Sequence, residues 1–270
     1  MKPFAWERQV CLLTGATGGI GQAIAEALAE KGVSLILTGR NHDKLSSLLS
    51  RLAGSHTLVC ADITTPEGLD KVVSVCCAKP PTMLINNAGI STTGEFTHTS
   101  AADISRVIHT NLIAPVTLTQ RLIPLLRHAE NAFVINIGST FGSIGFPCHS
   151  VYCASKFGLR GWTESLMREY ASTNVSFLYL APRATRTDIN SSAVEEMNRA
   201  LGNQMDNPDV VANALISQVE QRRRRRFLGF PEALFARING VFPSLVDRAL
   251  FKKLPTIQQF MSSTKKETTL

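Results

Sequence analysis

Tyr152 and Lys156 stand four residues apart in the segment Tyr152-Cys153-Ala154-Ser155-Lys156. On a helix that spacing puts both side chains on one face. A free tyrosine titrates near about 10, too high for easy proton exchange at neutral pH. A nearby ammonium favours the phenolate and lowers that value, so the pair reads as a proton donor with a tuning cation. Ser139 lies just past an apolar run, Phe133 to Ile137, and its hydroxyl can hydrogen-bond a carbonyl beside Tyr152. A Tyr–Lys pair alone is weak, because the two share helix faces often. Its force comes from the company it keeps.

That company is Thr14-Gly15-Ala16-Thr17-Gly18-Gly19-Ile20-Gly21. Glycines at 15, 19 and 21 let the backbone turn tightly and approach a pyrophosphate. A helix opening near Gly19 offers free N–H groups and a positive dipole end to that phosphate. The loop sits between a strand and a helix, the context that gives such a motif meaning. A dinucleotide site usually carries an acid about 20 residues further on, for the ribose hydroxyls. Here the second strand ends Leu37-Thr38-Gly39-Arg40-Asn41, with no acid before Asp43. Arg40 can grip a 2′-phosphate through a forked, charge-assisted contact, so NADP(H) is expected over NAD(H). The plainer reading of Arg40 is a solvated residue after a strand. Asp62 follows the third strand and either accepts from the adenine amino group or caps the helix that opens near Pro66. Asn86-Asn87-Ala88-Gly89 closes the fourth strand and suits a loop lying against a ribose.

The elements that must position these groups follow from hydrophobic periodicity. Val10 to Thr14, Ser34 to Thr38, Thr57 to Cys60, Met83 to Asn86, Phe133 to Ile137 and Ser176 to Leu180 are near-continuous apolar runs, expected of parallel strands covered on both faces. Helical patterns separate them: Ile20 to Lys31, Asp43 to Arg51, Pro66 to Ala78, one long helix from about Ala102 to His128, Val151 to Ala171, and Asp209 to Glu220. Phe227 to Phe230 is expected as the last edge strand. The alternation implies an α/β, Rossmann-type, doubly wound parallel sheet of about seven strands with helices on both faces. One domain over residues 1–230 is expected, with residues 231–270 a helical extension and tail of the same domain.

TGxxxGxG at Thr14 to Gly21, NNAG at Asn86 to Gly89 and YxxxK at Tyr152 to Lys156 resemble the short-chain dehydrogenase/reductase family of the compact type, over roughly Arg8 to Gly229. The resemblance implies a tetrad of Asn111, Ser139, Tyr152 and Lys156, with Asn111 holding a water that links Lys156 to solvent. It implies cofactor contacts at Gly15, Thr17, Gly18, Gly19, Ile20 and Gly21, then at Arg40, Asp62 and Ile63, and at Asn87, Ala88 and Gly89. Tyr152, Lys156, Pro182, Thr185 and Thr187 complete the set, Thr187 at the nicotinamide carboxamide or pyrophosphate. The chain departs from the family at Pro182-Arg183, where Pro-Gly is common. Arg183 either stiffens that loop or reaches an anionic substrate group. The implied reaction is hydride transfer between NADP(H) and a carbonyl or secondary alcohol, with Tyr152 as general acid or base, Ser139 polarising the oxygen and Lys156 tuning the tyrosine.

The resemblance also makes Asp188 to Asn207 a lid. Its Ile189, Val194, Met197 and Leu201 suit either a greasy substrate or core packing. Phe141, Ile144 and Phe146 are expected to line the pocket, together with Arg183 and Met197. The substrate is then an apolar ketone, a steroid-like molecule or an acyl chain. The runner-up is a 3-oxoacyl reductase acting on carrier- or coenzyme-A-linked chains. A rival of another class, a non-catalytic NADP(H)-binding redox sensor, has no need of Tyr152, Lys156 and Ser139 together. A homodimer or homotetramer through the long helices is implied by the resemblance.

The 270 residues are 44% apolar and 18% charged, ordinary for a globular chain. The net charge of +7 is concentrated, with an unbroken run from Arg222 to Arg226. That run suits an anionic partner (a phosphorylated cofactor, a carrier-linked substrate or a membrane) or is a solvated turn. It is too short, and too poor in interleaved aromatics, for nucleic acid. The six cysteines include no CxxC pair and no zinc spacing, so no metal is expected and buried free thiols in a reducing compartment are. No leader and no membrane span are read, which places the chain in the cytoplasm with peripheral membrane contact left open. From Pro231 to Lys253 the positions of Leu234, Phe235, Ile238, Phe242, Leu245, Val246, Leu250 and Phe251 describe an amphipathic helix broken near Pro243. It either packs on its own domain or on a second subunit over the active site, or lies on an anionic membrane. Ser262 to Leu270 is polar and expected to be disordered.

Overall fold

The computed structural model describes residues 4–263. Seven strands form one sheet: β1 (Val10–Thr14), β2 (Ser34–Gly39), β3 (Thr57–Cys60), β4 (Met83–Asn86), β5 (Ala132–Ile137), β6 (Val175–Ala181) and β7 (Arg225–Phe227). Their order is β3-β2-β1-β4-β5-β6-β7, and every neighbouring pair is parallel. Successive strand residues face opposite sides. Leu13, Leu35, Leu37, Ile85 and Ile135 therefore enter one core, while Leu12, Ile36, Leu84 and Val134 enter another. The first core is covered by α1 (Gly19–Glu30), α2 (His42–Leu49) and α8 (Pro208–Glu220). The second is covered by α3 (Pro66–Ala78), α5 (Ala114–Leu126) and α6 (Ser150–Glu169). Strand order reverses between β1 and β4, which opens a crevice at their carboxyl ends.

The expected long helix is interrupted. α4 (Ala101–Ile108) passes through a π-helical turn, His109–Ile113, before α5. Pro115 has no N–H for the Asn111 carbonyl four residues back, and the helical ladder widens there. The last strand is also displaced: β7 lies at Arg225–Phe227, not Phe227 to Phe230. Gly229, at φ +83°, turns the chain away from the sheet just beyond it.

The arginine run thereby becomes part of the fold. Arg222 donates to Asn131 and lies over the Phe133 ring, Arg225 pairs with Glu164, and Arg226 donates to the Ala214 carbonyl. The run starts at the amino end of β5, where Arg222 meets Asn131, and continues to Arg226 opposite Leu180, near the carboxyl end of β6. Three of its five guanidinium groups are thus engaged by the chain itself. The thiols are less uniform than expected: Cys11, Cys76 and Cys153 are buried, Cys60 and Cys148 half-buried and Cys77 exposed, and all are free.

The extension packs on its own domain as two helices, α9 (Glu232–Asn239) and α10 (Pro243–Ser263). Ala236 and Val246 bury against Ile144. Ile257 and Met261 bury against Val194 and Met197 of α7 (Ser192–Ala200), so α10 braces the expected lid from outside. The polar tail expected from Ser262 begins inside α10, and residues 264–270 lie outside the described residues. No helix among the described residues is long and apolar enough to cross a membrane.

Arg183 takes the stiffening role of the two open to it. Its Nε and Nη2 donate to Asp206 at 3.0 and 2.7 Å, and its Nη1 reaches Glu232 at 3.4 Å. Asp206 also clamps the same loop through its backbone, with Arg186 N–H and the Ala184 carbonyl as partners. The guanidinium thus joins the loop after β6 to α9, and its charge is already matched by two carboxylates. Arg183→Gly, which restores the commoner residue, should destabilise the chain by about 3 kcal/mol, because Asp206 and Glu232 would face each other with no cation between them. Chemical denaturation measures this, and an unchanged midpoint would contradict the assigned role.

Candidate active site

β1 runs directly into the glycine loop, and the loop into α1. Gly15 has φ +62°, and a Cβ there would stand 2.7 Å from the Ala88 Cα, so the loop and the Asn87–Gly89 segment touch backbone to backbone. Thr14 fastens the contact. Its hydroxyl accepts from the N–H groups of Asn87 and Ala88 at 3.0 and 3.1 Å and donates to the Ile85 carbonyl at 3.3 Å. Asn87 Nδ2 donates back to the carbonyls of Thr14 and Gly15, both at 3.0 Å. The amide expected to meet a ribose is thus also the brace that shapes the loop. No side chain caps α1, which leaves its first N–H groups facing the crevice.

A long cleft follows from that N-terminus. Thr17, Gly18, Gly19, Ile20 and Gly21 form one wall, and Arg40, Asp62, Ile63 and Ala88 line it further out. Lys44, not evident as a cofactor residue from the sequence, lines the same cleft as Arg40, so two cations stand near the end of β2. Asp62 does not cap α3; Thr65 does, accepting from Gly68 N–H at 3.0 Å. Asp62 accepts instead from the N–H and hydroxyl of Thr64 at 2.9 and 2.7 Å. Burial pushes its carboxyl up, but those hydrogen bonds and the nearby Arg40 outweigh it and hold the group below the usual carboxylate range. Thr187 closes the cleft against Gly19, whose Cβ would lie 2.7 Å from the Thr187 methyl.

The cleft meets a second cavity of about 290 Å³ along Ile20, Asn87, Gly89 and Thr187. Ser139, Tyr152 and Lys156 meet in this cavity, and Pro182 and Thr185 line it too. Ser139 follows β5, and its Oγ accepts from Phe141 N–H at 3.1 Å. Tyr152 and Lys156 lie in the first two turns of α6. Lys156 is buried, and its Nζ donates to the Ile137 carbonyl at the end of β5 at 3.0 Å. Burial pushes the ammonium down to about 8.

The expected lowering of Tyr152 is not what the free site shows. Enclosure of the phenol pushes it up to about 12, and the hydrogen bond with Ser139 pulls the other way. Lys156 lies 5.7 Å from the ring centroid, with its Nζ donating to the Ile137 carbonyl. The phenol is therefore held protonated, ready to give a proton rather than to take one.

Asn111 sits in the π-helical turn and is buried. Its amide grips Ile90 in both directions, accepting from the N–H and donating to the carbonyl at 2.9 Å, and it donates to Ser155 at 3.0 Å. It lies against Gly89, as does the Lys156 ammonium: a Cβ on Gly89 would be 3.4 Å from the Asn111 oxygen and 3.6 Å from Nζ. The structure thus brings all four expected catalytic residues to one place and gives Asn111 a structural grip that spacing could not reveal.

Phe141, Ile144, Phe146 and Met197 line the cavity, as does Arg183 with its charge matched. Three contributors were not legible in sequence. His149 is buried against Phe141 and Phe146, and burial pushes its imidazole below the usual histidine range. Tyr179 is fully buried, and its hydroxyl contacts the Ser139 backbone at 3.4–3.5 Å through space that Gly138 leaves open. Val246, Leu250 and Lys253 of α10 complete the wall; the sequence allowed the tail to pack over the site without showing which of its residues would line it. Among the described residues no cluster of three or more His, Cys, Asp or Glu could hold a metal.

Comparison with known proteins agrees with this geometry. Residues 9–198 match the family model described as short chain dehydrogenase. An uncharacterized oxidoreductase of Bacillus subtilis is 30% identical over 90% of this chain and 72% of its own length. The 3-oxoacyl-[acyl-carrier-protein] reductase of Rickettsia felis is 33% identical over 76% of this chain and 86% of its own. Among solved structures, a short-chain dehydrogenase from Sphingobium yanoikuyae in complex with NADPH superposes with a TM-score of 0.75 at 26% identity, covering 88% of this chain and 95% of that one. The family match spans the glycine loop and the Tyr–Lys pair, and the chain belongs to the short-chain dehydrogenase/reductase family of oxidoreductases.

Proposed function

We propose that this chain is an NADP(H)-dependent reductase of apolar ketones or acyl-type carbonyls, with Tyr152 as proton donor. The observation that carries the reading is the convergence of Ser139, Tyr152 and Lys156 in an apolar cavity that opens onto the glycine-loop cleft. A bound nicotinamide supplies or accepts the hydride. The chain's own groups do the rest. The N–H groups at the start of α1 receive the pyrophosphate. Arg40 and Lys44 meet the 2′-phosphate, and Asn87, Tyr152, Lys156 and Thr187 hold the nicotinamide half. Ser139 donates to the substrate oxygen, and Tyr152 passes its proton to that oxygen as charge builds on it. Lys156 restores the balance by stabilising the phenolate left behind.

The runner-up, a 3-oxoacyl reductase, draws support from relatives such as that of Rickettsia felis. The arginine run gives it little added support, because Arg222, Arg225 and Arg226 are engaged by Asn131, Glu164 and the Ala214 carbonyl. A redox sensor would leave the buried Lys156 and its tyrosine without a task. Exposed apolar side chains on neighbouring long helices, Ile113 and Phe157, support a homodimer or homotetramer. Six unpaired thiols support a reducing, cytoplasmic setting.

The test follows loss of NADPH absorbance against ketones, aldehydes and 3-oxoacyl thioesters. Tyr152→Phe should lower kcat by on the order of 10²–10⁴ while NADPH binding persists. Binding without turnover in either protein would favour the sensor. Arg40→Ala should raise the KM for NADPH by about 10–100-fold and leave that for NADH nearly unchanged. Equal effects on the two cofactors would remove the 2′-phosphate reading.

A further inference from the structure

Among the described residues, seven of the twelve exposed large apolar side chains lie between Phe230 and Phe251. Such concentration differs from the scattered exposure usual on a monomer. Phe230 and Leu234 lead into and along α9, Val241 and Phe242 form the turn, and Leu245 and Phe251 continue along α10. The inward face of α10 is spent on Val246, Leu250, Ile257 and Met261. At helical spacing, its outward face carries Leu245, Arg248, Phe251, Lys252 and Pro255, all exposed. Asp247 is the one acid of α10, and Glu232 of α9 is taken by Arg183.

We infer that the α9–α10 hairpin docks this protein on an anionic lipid surface. Phe242, Leu245 and Phe251 enter the acyl boundary, while Arg248 and Lys252 extend along it with their charges at the headgroups. The charge pattern selects lipid over a second copy of the chain. A two-fold interface would set Arg248 and Lys252 against their own counterparts with little acid to offset them. The choice also fits the cavity: Leu250 and Lys253 line it from the inner side of the same helix, so docking puts its wall at the lipid boundary. The inference goes beyond the proposed reaction and is read without any turnover.

Cosedimentation with phosphatidylcholine vesicles containing phosphatidylglycerol, at low salt, tests it. Binding is expected to these vesicles, to fall as salt rises, and to be weaker to phosphatidylcholine alone. Phe242→Ser/Leu245→Ser/Phe251→Ser and, separately, Arg248→Gln/Lys252→Gln should each lower the bound-to-free ratio by about tenfold or more. Arg223→Gln/Arg224→Gln, outside the hairpin and just ahead of β7, removes as much charge and should leave binding unchanged. Thermal unfolding checks that the variants fold, and the charge pair decides the matter should the apolar triple not. No vesicle binding at low salt would overturn the inference. So would equal loss in the Arg223/Arg224 control, or a dimer that the apolar triple dissociates in the absence of any vesicle binding.

Discussion

The arrangement turns on one ammonium taken out of water. Lys156 sits buried beneath the crevice with the Ile137 carbonyl as its partner. Its fall from 10.5 to about 8 corresponds to about 3 kcal/mol against the charged form. The unfolded lysine titrates higher than the folded one, so this cost is full below about pH 8 and fades as pH rises towards 10.5. A fold optimised for stability alone would place a hydrocarbon there. What the charge stabilises is a neighbouring phenolate, and Tyr152, pushed up to about 12, needs that help to part with its proton.

Holding those two groups in place is the work of the sheet and a buried polar chain across it. Asn86 Nδ2 donates to Thr119 and to Asn136, at 3.0 and 2.8 Å, and Asn136 Nδ2 donates to Thr163 at 2.8 Å. These bonds tie β4 and β5 to α5 and α6 in a dry interior, where unmade partners would be costly. α6 carries Tyr152 and Lys156, so its register against the sheet sets where the proton is delivered. The Ile90–Asn111 grip and the Thr14 hydroxyl do the same for the loops that line the cleft.

Much of this was legible in sequence because it is local or periodic. The six central strands are apolar runs, and the glycine loop and the Tyr–Lys pair are short motifs with fixed spacing. The rest depended on partners distant in the chain. Arg183 found Asp206 and Glu232, the arginine run found Asn131, Glu164 and Ala214, and Tyr179 found the gap beside Gly138. No spacing rule announces such meetings. The π-helical turn was hidden for a different reason: Pro115 looked like an ordinary proline near a helix start, and its missing N–H acts on a carbonyl four residues earlier. For Tyr152 the motif gave the pairing but not the sign, because enclosure of the phenol dominates its titration.

The dependence of turnover on that buried ammonium is tested most directly by kcat/KM for ketone reduction as a function of pH, in the wild type and in Lys156→Met. Since Tyr152 stays protonated until about 12, the account predicts a wild-type rate that falls as pH rises through about 8, where Lys156 loses its charge. In Lys156→Met the rate should be low throughout and that limb absent. A wild-type profile flat to pH values well above this, or the same limb surviving in the variant, would show that the proton is delivered without Lys156.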